Sequence, residues 1–312
     1  MIDSRRLNNQ TYEMGRFDIE FNRDQLGVDR NPELIFHINV YFQQGAVGSG
    51  VEDSDTSSSP GHPNRTYQAD AWPDAAWIQF KNRIIAHSQS FWNGKFWLVP
   101  PATCFGMRAS LPDFPTDNNI RASRQYPNQT PMVPGLPNST RYMYAFNLYC
   151  RIMLREVATA SAAHLTITAP HVSEADDGSF INSVGSGNGI FYNGIINYRR
   201  FGVRLGHTRS QRQYLHEIGH AFGQRHIGFY SDTSSCVEAP HAGHGATHGM
   251  CYIGDTSAEA GNVMGLGESL SAENAIPWKH FAAQFTGSNA SDWQVSRRRV
   301  YPRILTLPGL HV

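Results

Sequence analysis

Residues 214–228 read YLHEIGHAFGQRHIG. Three histidines, His216, His220 and His226, fall within eleven positions, with Glu217 and Gly223 among them. At 3.6 residues per turn, His216 and His220 share one helix face, with about 6 Å between their Cβ atoms. Two imidazoles at that separation converge on one cation. Glu217, turned about 100° from their axis, reaches a water on such a cation without ligating it. Ser210 is a candidate cap for a helix over 209–223, and Gly223 sits where a left-handed residue ends one. A helix continued past Gly223 would carry His226 away, whereas a turn there points the third imidazole at the same ion. Three neutral imidazoles leave one coordination position open, as in catalytic sites; structural zinc sites close theirs, usually with thiolates. The plain alternative is a histidine-rich helix end in solvent. With 14 His and 28 Gly in 312 residues, the full pattern arises by chance in about one of ten thousand such chains, so the metal reading is preferred.

Upstream, the hydrophobic pattern is that of a sheet with a backing helix. LIFHINVYF (34–42) reads as a buried strand, 44–66 as a long polar loop, and 73–91 as a helix with Pro73 in its first turn. KFWLVP (95–100), 141–154 and HLTITA (164–169) read as strands, and 190–206 as a further strand or hairpin. Residues 101–141, rich in Pro, Asn, Asp and Arg, read as an irregular insertion; 173–189 read as a glycine-rich loop. This order predicts an α+β fold in one large domain with insertions over 31–290. Residues 1–30 are an extension without assigned role, and 291–312 a C-terminal tail.

The string HEIGHAFGQRH resembles the H-E-x-x-H-x-x-G-x-x-H motif of the metzincin clan of zinc metallopeptidases. The resemblance implies that His216, His220 and His226 hold one catalytic Zn2+ and that Glu217 is the general base for a zinc-bound water. It also implies a methionine turn beneath the ion, for which AGNVMGLGES (260–269) supplies Met264, and a closing helix, for which AIPWKHFAAQF (275–285) is suited. The resemblance further implies a catalytic domain divided into an upper part, 31–223, and a lower part, 224–290. Ile227 after the third histidine matches no subfamily marker, and Leu266 stands where astacin- and serralysin-like members carry a tyrosine. The function so implied is a zinc endopeptidase acting on protein substrates bound extended against an edge strand within 184–205. The alternatives are an intracellular processing peptidase and a non-catalytic module of a larger assembly with a vestigial site.

Lys plus Arg equals Asp plus Glu at 26 each, which gives no electrostatic case for nucleic acid or an anionic membrane as partner. The N-terminus lacks the apolar core of a signal peptide, and no apolar run is long enough to span a membrane. Only Lys81, Lys95 and Lys279 are lysines, a bias that suits either a GC-rich genome or a protein at work inside a foreign cell. Export or delivery into a target cell by a signal-independent route is expected, with the cytoplasm as alternative. Cys236 and Cys251 bracket one loop and are the first choice for a disulfide, leaving Cys104 with Cys150; four free thiols is the other reading. Within that loop His241, His244 and His248 are candidates for a second metal, although a solvated glycine-rich loop is preferred. The acidic turn EADDG (174–178) is a weak candidate for Ca2+.

Overall fold

The computed structural model describes residues 4–13, 15–22, 32–52, 66–99, 101, 148–171, 189–190, 213–230, 236, 251–252, 256–265 and 267–296. Its strands are β1 (Ser4–Tyr12), β2 (Gly15–Asn22), β3 (Glu33–Gln44), β4 (Gly50–Glu52), β5 (Thr66–Gln68), β6 (Trp97–Val99), β7 (Leu148–Glu156), β8 (Leu165–Ala169), β9 (Gly189–Ile190) and β10 (Gln294–Ser296). The α-helices are α1 (Asp74–Trp92), α2 (Gln213–Ala221), the single turn α3 (Ser257–Ala260) and α4 (Ile276–Thr286). Helices and a mixed sheet in one core make this an α+β protein.

β3 is the spine, because Leu34, Phe36, Ile38, Val40 and Phe42 alternate onto one face and are all buried. Val40 pairs with Glu156 of β7 and Leu165 of β8 at once, so those parallel neighbours lie on opposite edges. Antiparallel β2 shares the β8 edge, alongside residues 33–37. Beyond β7 come antiparallel β6 and then β10. The connection from β7 to β8 crosses the spine, Val157 N–H donating to Val40 O and His164 N–H to Asn39 O.

α1 buries Phe80, Ile84, Ser88 and Trp92, four residues apart, against the sheet. Its C-terminal side chains also satisfy β7 beyond the reach of short β6. Asn93 exchanges two hydrogen bonds with the Ile152 backbone (2.8 and 3.1 Å), and Gln89 Oε1 accepts from Leu154 N–H (3.0 Å). α2 lies beside α1, where Trp92 meets Phe222 edge-on at 4.8 Å and donates to Leu215 O (3.3 Å). Trp278 of α4 stacks on Phe36 at 5.1 Å, closing the core beneath α2. Pro277 occupies the first turn of α4 and left-handed Gly287 ends it.

Three boundaries differ from expectation. Residues 4–22, whose role was open, belong to the domain: they form the β1–β2 hairpin of the main sheet, with Phe17, Ile19 and Phe21 in the core. The C-terminal segment begins as strand β10 and contributes buried Trp293, so the domain does not stop at 290. The polar stretch 44–66 is not loop throughout, since its ends belong to an antiparallel pair, β4 with β5. The 101–141 insertion (after residue 101), the loop at 173–189 up to residue 188 and the acidic turn 174–178 lie outside the described residues.

Candidate metal centre

α2 presents His216 and His220 on its inner face, with Tyr214, Leu215, Ile218 and Phe222 packed in the core around them. Gly219 lets Met264 approach from below: a Cβ there would stand 2.5 Å from Met264 Sδ and 3.2 Å from the Trp92 ring. The helix ends at Gly223, whose φ of +88° lies in the left-handed region. Its N–H donates to His220 O (2.9 Å). The hairpin tip seals this turn from outside, because a Cβ on Gly223 would lie 2.5 Å from the Tyr12 ring. Glu13 at the same tip pairs with Arg225. The chain therefore doubles back, and His226 arrives beside its two companions.

One ring nitrogen from each of His216, His220 and His226 lies within 4.8 Å of the others. His220 Nε2 is 3.0 Å from His216 Nε2 and 3.2 Å from His226 Nε2. All three residues are buried. His216 Nδ1 donates to Val263 O (2.7 Å), and His220 Nδ1 donates to Gln224 O (2.6 Å). Carbonyls only accept, so both rings carry their proton on Nδ1 and expose an Nε2 lone pair. Burial first, then the neighbouring imidazoles, holds His216 well below the usual histidine range, which keeps it neutral. Two lone pairs facing at 3.0 Å repel unless a cation lies between them. Zn–N bonds of 2.0–2.1 Å at a tetrahedral centre place nitrogens about 3.3 Å apart, close to the spacing observed. The donor set fits a metal ion, and these three residues could hold one.

Glu217 keeps part of its surface open, yet protein crowds its carboxyl and desolvation pushes it up to about 8. Val263–Gly265 passes beneath the trio. Val263 O receives His216, and Met264 O accepts from Ile227 N–H (2.9 Å) next to His226. Opposite, the Tyr252 ring lies 4.0 Å from the His226 ring and stacks at 5.6 Å on His216. Cys251, the preceding residue, is disulfide-bonded to Cys236.

Of the residues singled out from sequence, the structure brings together His216, Glu217, His220, Gly223, His226 and Met264, and forms the Cys236–Cys251 bridge. Cys150 is a free, buried thiol on β7, so the second expected disulfide is not formed; burial pushes this thiol well above its ordinary range. Cys104, Ser210, Leu266, His241, His244 and His248 lie outside the described residues. Of the stretch 184–205 only β9 is described; it pairs in parallel with β8 and with no other described strand. Sequence reading passed over Tyr12, Gln224, Tyr252, Asn262 and Asn274. For Asn262 a signal existed, an amide side chain two residues before Met264 in a run of glycines. Tyr252 and Asn274 carry none, since only folding brings them to the site; Gln224 lies within the histidine stretch, but nothing in its residue type marks its role. No helix among the described residues is long and apolar enough to cross a membrane. Comparison with protein-family models, characterised proteins and solved structures finds no match.

Proposed function

We propose that this chain is a metzincin-like zinc endopeptidase. The observation that carries the reading is the convergence of the His216, His220 and His226 Nε2 region, with Glu217 one residue from the first ligand on the same helix. Nitrogen-only ligation by three imidazoles with an open position suits Zn2+ better than the harder divalent cations, which prefer oxygen. A Zn2+ bound there supplies Lewis acidity toward the scissile carbonyl and lowers the pKa of water.

The rest of the work falls to the chain. The Val263 and Gln224 carbonyls fix the tautomer and orientation of His216 and His220. Glu217 accepts the proton of the attacking water and delivers it to the leaving amine as the C–N bond breaks. Desolvation pushes its carboxyl up to about 8; a cation held by the three histidines would oppose that shift and favour the carboxylate that accepts the proton. Substrate lies extended, and β9, which pairs with β8 and with no other described strand, offers backbone groups for pairing. The Cys236–Cys251 disulfide supports work in an oxidising compartment, hence export.

The test is casein digestion with metal analysis. Wild type should carry one zinc per chain and cleave. Glu217→Gln should keep the zinc and lose at least a hundredfold in rate, the scale of general acid–base assistance. Undiminished proteolysis by Glu217→Gln, or by wild type stripped of metal, would sink the reading.

A further inference from the structure

Two buried amide side chains stand beneath the histidines and are used by nothing described so far. Asn262 and Asn274 are 1% and 0% exposed. Asn262 Oδ1 accepts from Met264 N–H (2.8 Å) and from Asn274 Nδ2 (3.2 Å). Asn262 Nδ2 donates to Asn274 Oδ1 (2.8 Å) and to Ser271 Oγ (2.9 Å). Asn274 Oδ1 also accepts from Ser271 N–H (2.9 Å). The backbone donors of Met264 and Ser271 fix which end of each amide is oxygen, so the reciprocal pair has one orientation.

From this pair two short paths lead to the ligands. The Asn262 side chain closes a turn across Val263, and its own carbonyl accepts from Gly265 N–H (2.9 Å) and Gly267 N–H (3.0 Å). Val263 O is thereby held where His216 Nδ1 donates to it. On the other side, Asn274 O accepts from Gln224 Nε2 (2.5 Å), and Gln224 O receives His220 Nδ1. Gln224 Oε1 is buried with no hydrogen-bond partner among the described residues. Burying that acceptor costs desolvation, against which the Nε2 bond to Asn274 O is set.

We propose that Asn262 and Asn274 are positioning residues, one amide clasp that sets the carbonyls orienting two metal-ligating histidines. This rests on the metal reading above and adds how the ligands are held at fixed separation. An aspartate cannot replace Asn262. It keeps an acceptor for Met264 N–H but sets a second carboxylate oxygen against Asn274 Oδ1, where a donor is required.

Titrating the full metal-free chain with Co2+, followed by visible absorption, tests the clasp. Asn262→Ala, Asn262→Asp and Asn274→Ala should each weaken Co2+ binding about 10- to 100-fold, the effect of losing an orienting partner behind a ligand. The double alanine variant should be little worse than either single, because the two amides act as one unit. Gln224→Met separates the clasp from misfolding: it removes the amide that donates to Asn274 O and keeps a side chain of similar length, and should weaken Co2+ binding about tenfold in protein whose folding is verified by its melting temperature. Leu165→Ala, a core loss on β8, sets how much binding falls through destabilisation alone. Folded variants with wild-type affinity and an unchanged cobalt spectrum, or losses that Leu165→Ala reproduces, would overturn the clasp while the metal reading stands. A wild-type chain that takes up no Co2+ overturns both.

Discussion

At Gly223 a backbone angle, not a side chain, determines whether His226 joins the other two histidines. An alanine there adopts φ of +88° at about 1–2 kcal/mol, and its Cβ meets the Tyr12 ring at 2.5 Å. Gly223→Ala should lower stability and, more tellingly, lower zinc retention, since either adjustment moves His226. Equilibrium dialysis against a competing chelator reads the second effect separately from the first. A different residue-scale device governs the response to acid. Burial raises the Asp18 carboxyl, but Asn9 N–H (2.8 Å), Arg6 (3.0 Å) and His164 (3.3 Å) outweigh it, and the pKa falls below its ordinary 3.8. For His164 burial dominates over the attraction of Asp18, and its pKa falls below 6.5. Its Nδ1 accepts from Asn39 N–H (3.1 Å), so charging the ring breaks that bond. Both groups bind fewer protons folded than unfolded, so stability falls as pH falls, first below 6.5 for His164 and then below 3.8 for Asp18. Asp18→Asn should be less stable than wild type at pH 7 by urea denaturation. The gap should close as pH drops below the Asp18 range; a gap independent of pH would refute the assignment.

At the scale of elements, the hairpin of β1 and β2 is the part that joins fold to site. Tyr12 covers Gly223 and packs on His280 (4.6 Å) and Phe281 (5.6 Å), while Glu13 pairs with Arg225 beside the third histidine. Tyr12→Ala uncovers the turn and should cost about 1–2 kcal/mol, less than truncating a fully buried aromatic because Tyr12 is half-buried. Glu13→Gln, losing a largely solvated pair, should cost under about 1 kcal/mol; thermal unfolding ranks the two. This hairpin was the least legible element. β2 alternates Phe17, Ile19 and Phe21, a readable strand, but β1 carries Leu7 amid polar residues and is broken by a bulge between Leu7 and Gln10. β3, α1, α2 and α4 were legible because each buries one apolar face at its own period. The histidine trio was legible because helix spacing alone fixes two of its members. Asn274 and Tyr252 were not, and Asn262 only through its place beside Met264, since 47 residues separate His216 from Val263 and no local pattern spans such a distance.

Across the whole molecule, the histidine trio joins the sheet and its helices to the chain that follows. Among the described residues after His226, α4 is the one α-helix longer than a single turn and β10 the one strand. The order of this segment comes from three ties: the Met264 turn beneath the ligands, Trp278 of α4 in the core, and the Cys236–Cys251 bridge. The bridge closes a loop of sequence separation 15, worth about 3 kcal/mol by chain entropy. It also holds Cys251 next to Tyr252, which covers His226 and His216. Reduction should therefore do more than lower the melting temperature. Below that temperature, where the sheet stays folded, the reduced protein should release zinc faster to a chelator than the oxidised protein does. Cys236→Ser with Cys251→Ser should reproduce both effects, and reductant should then add nothing. Cys150 cannot confound the result, because it is buried and already free. Equal zinc release from oxidised and reduced protein would show that the bridge stabilises its own loop without reaching the ligands.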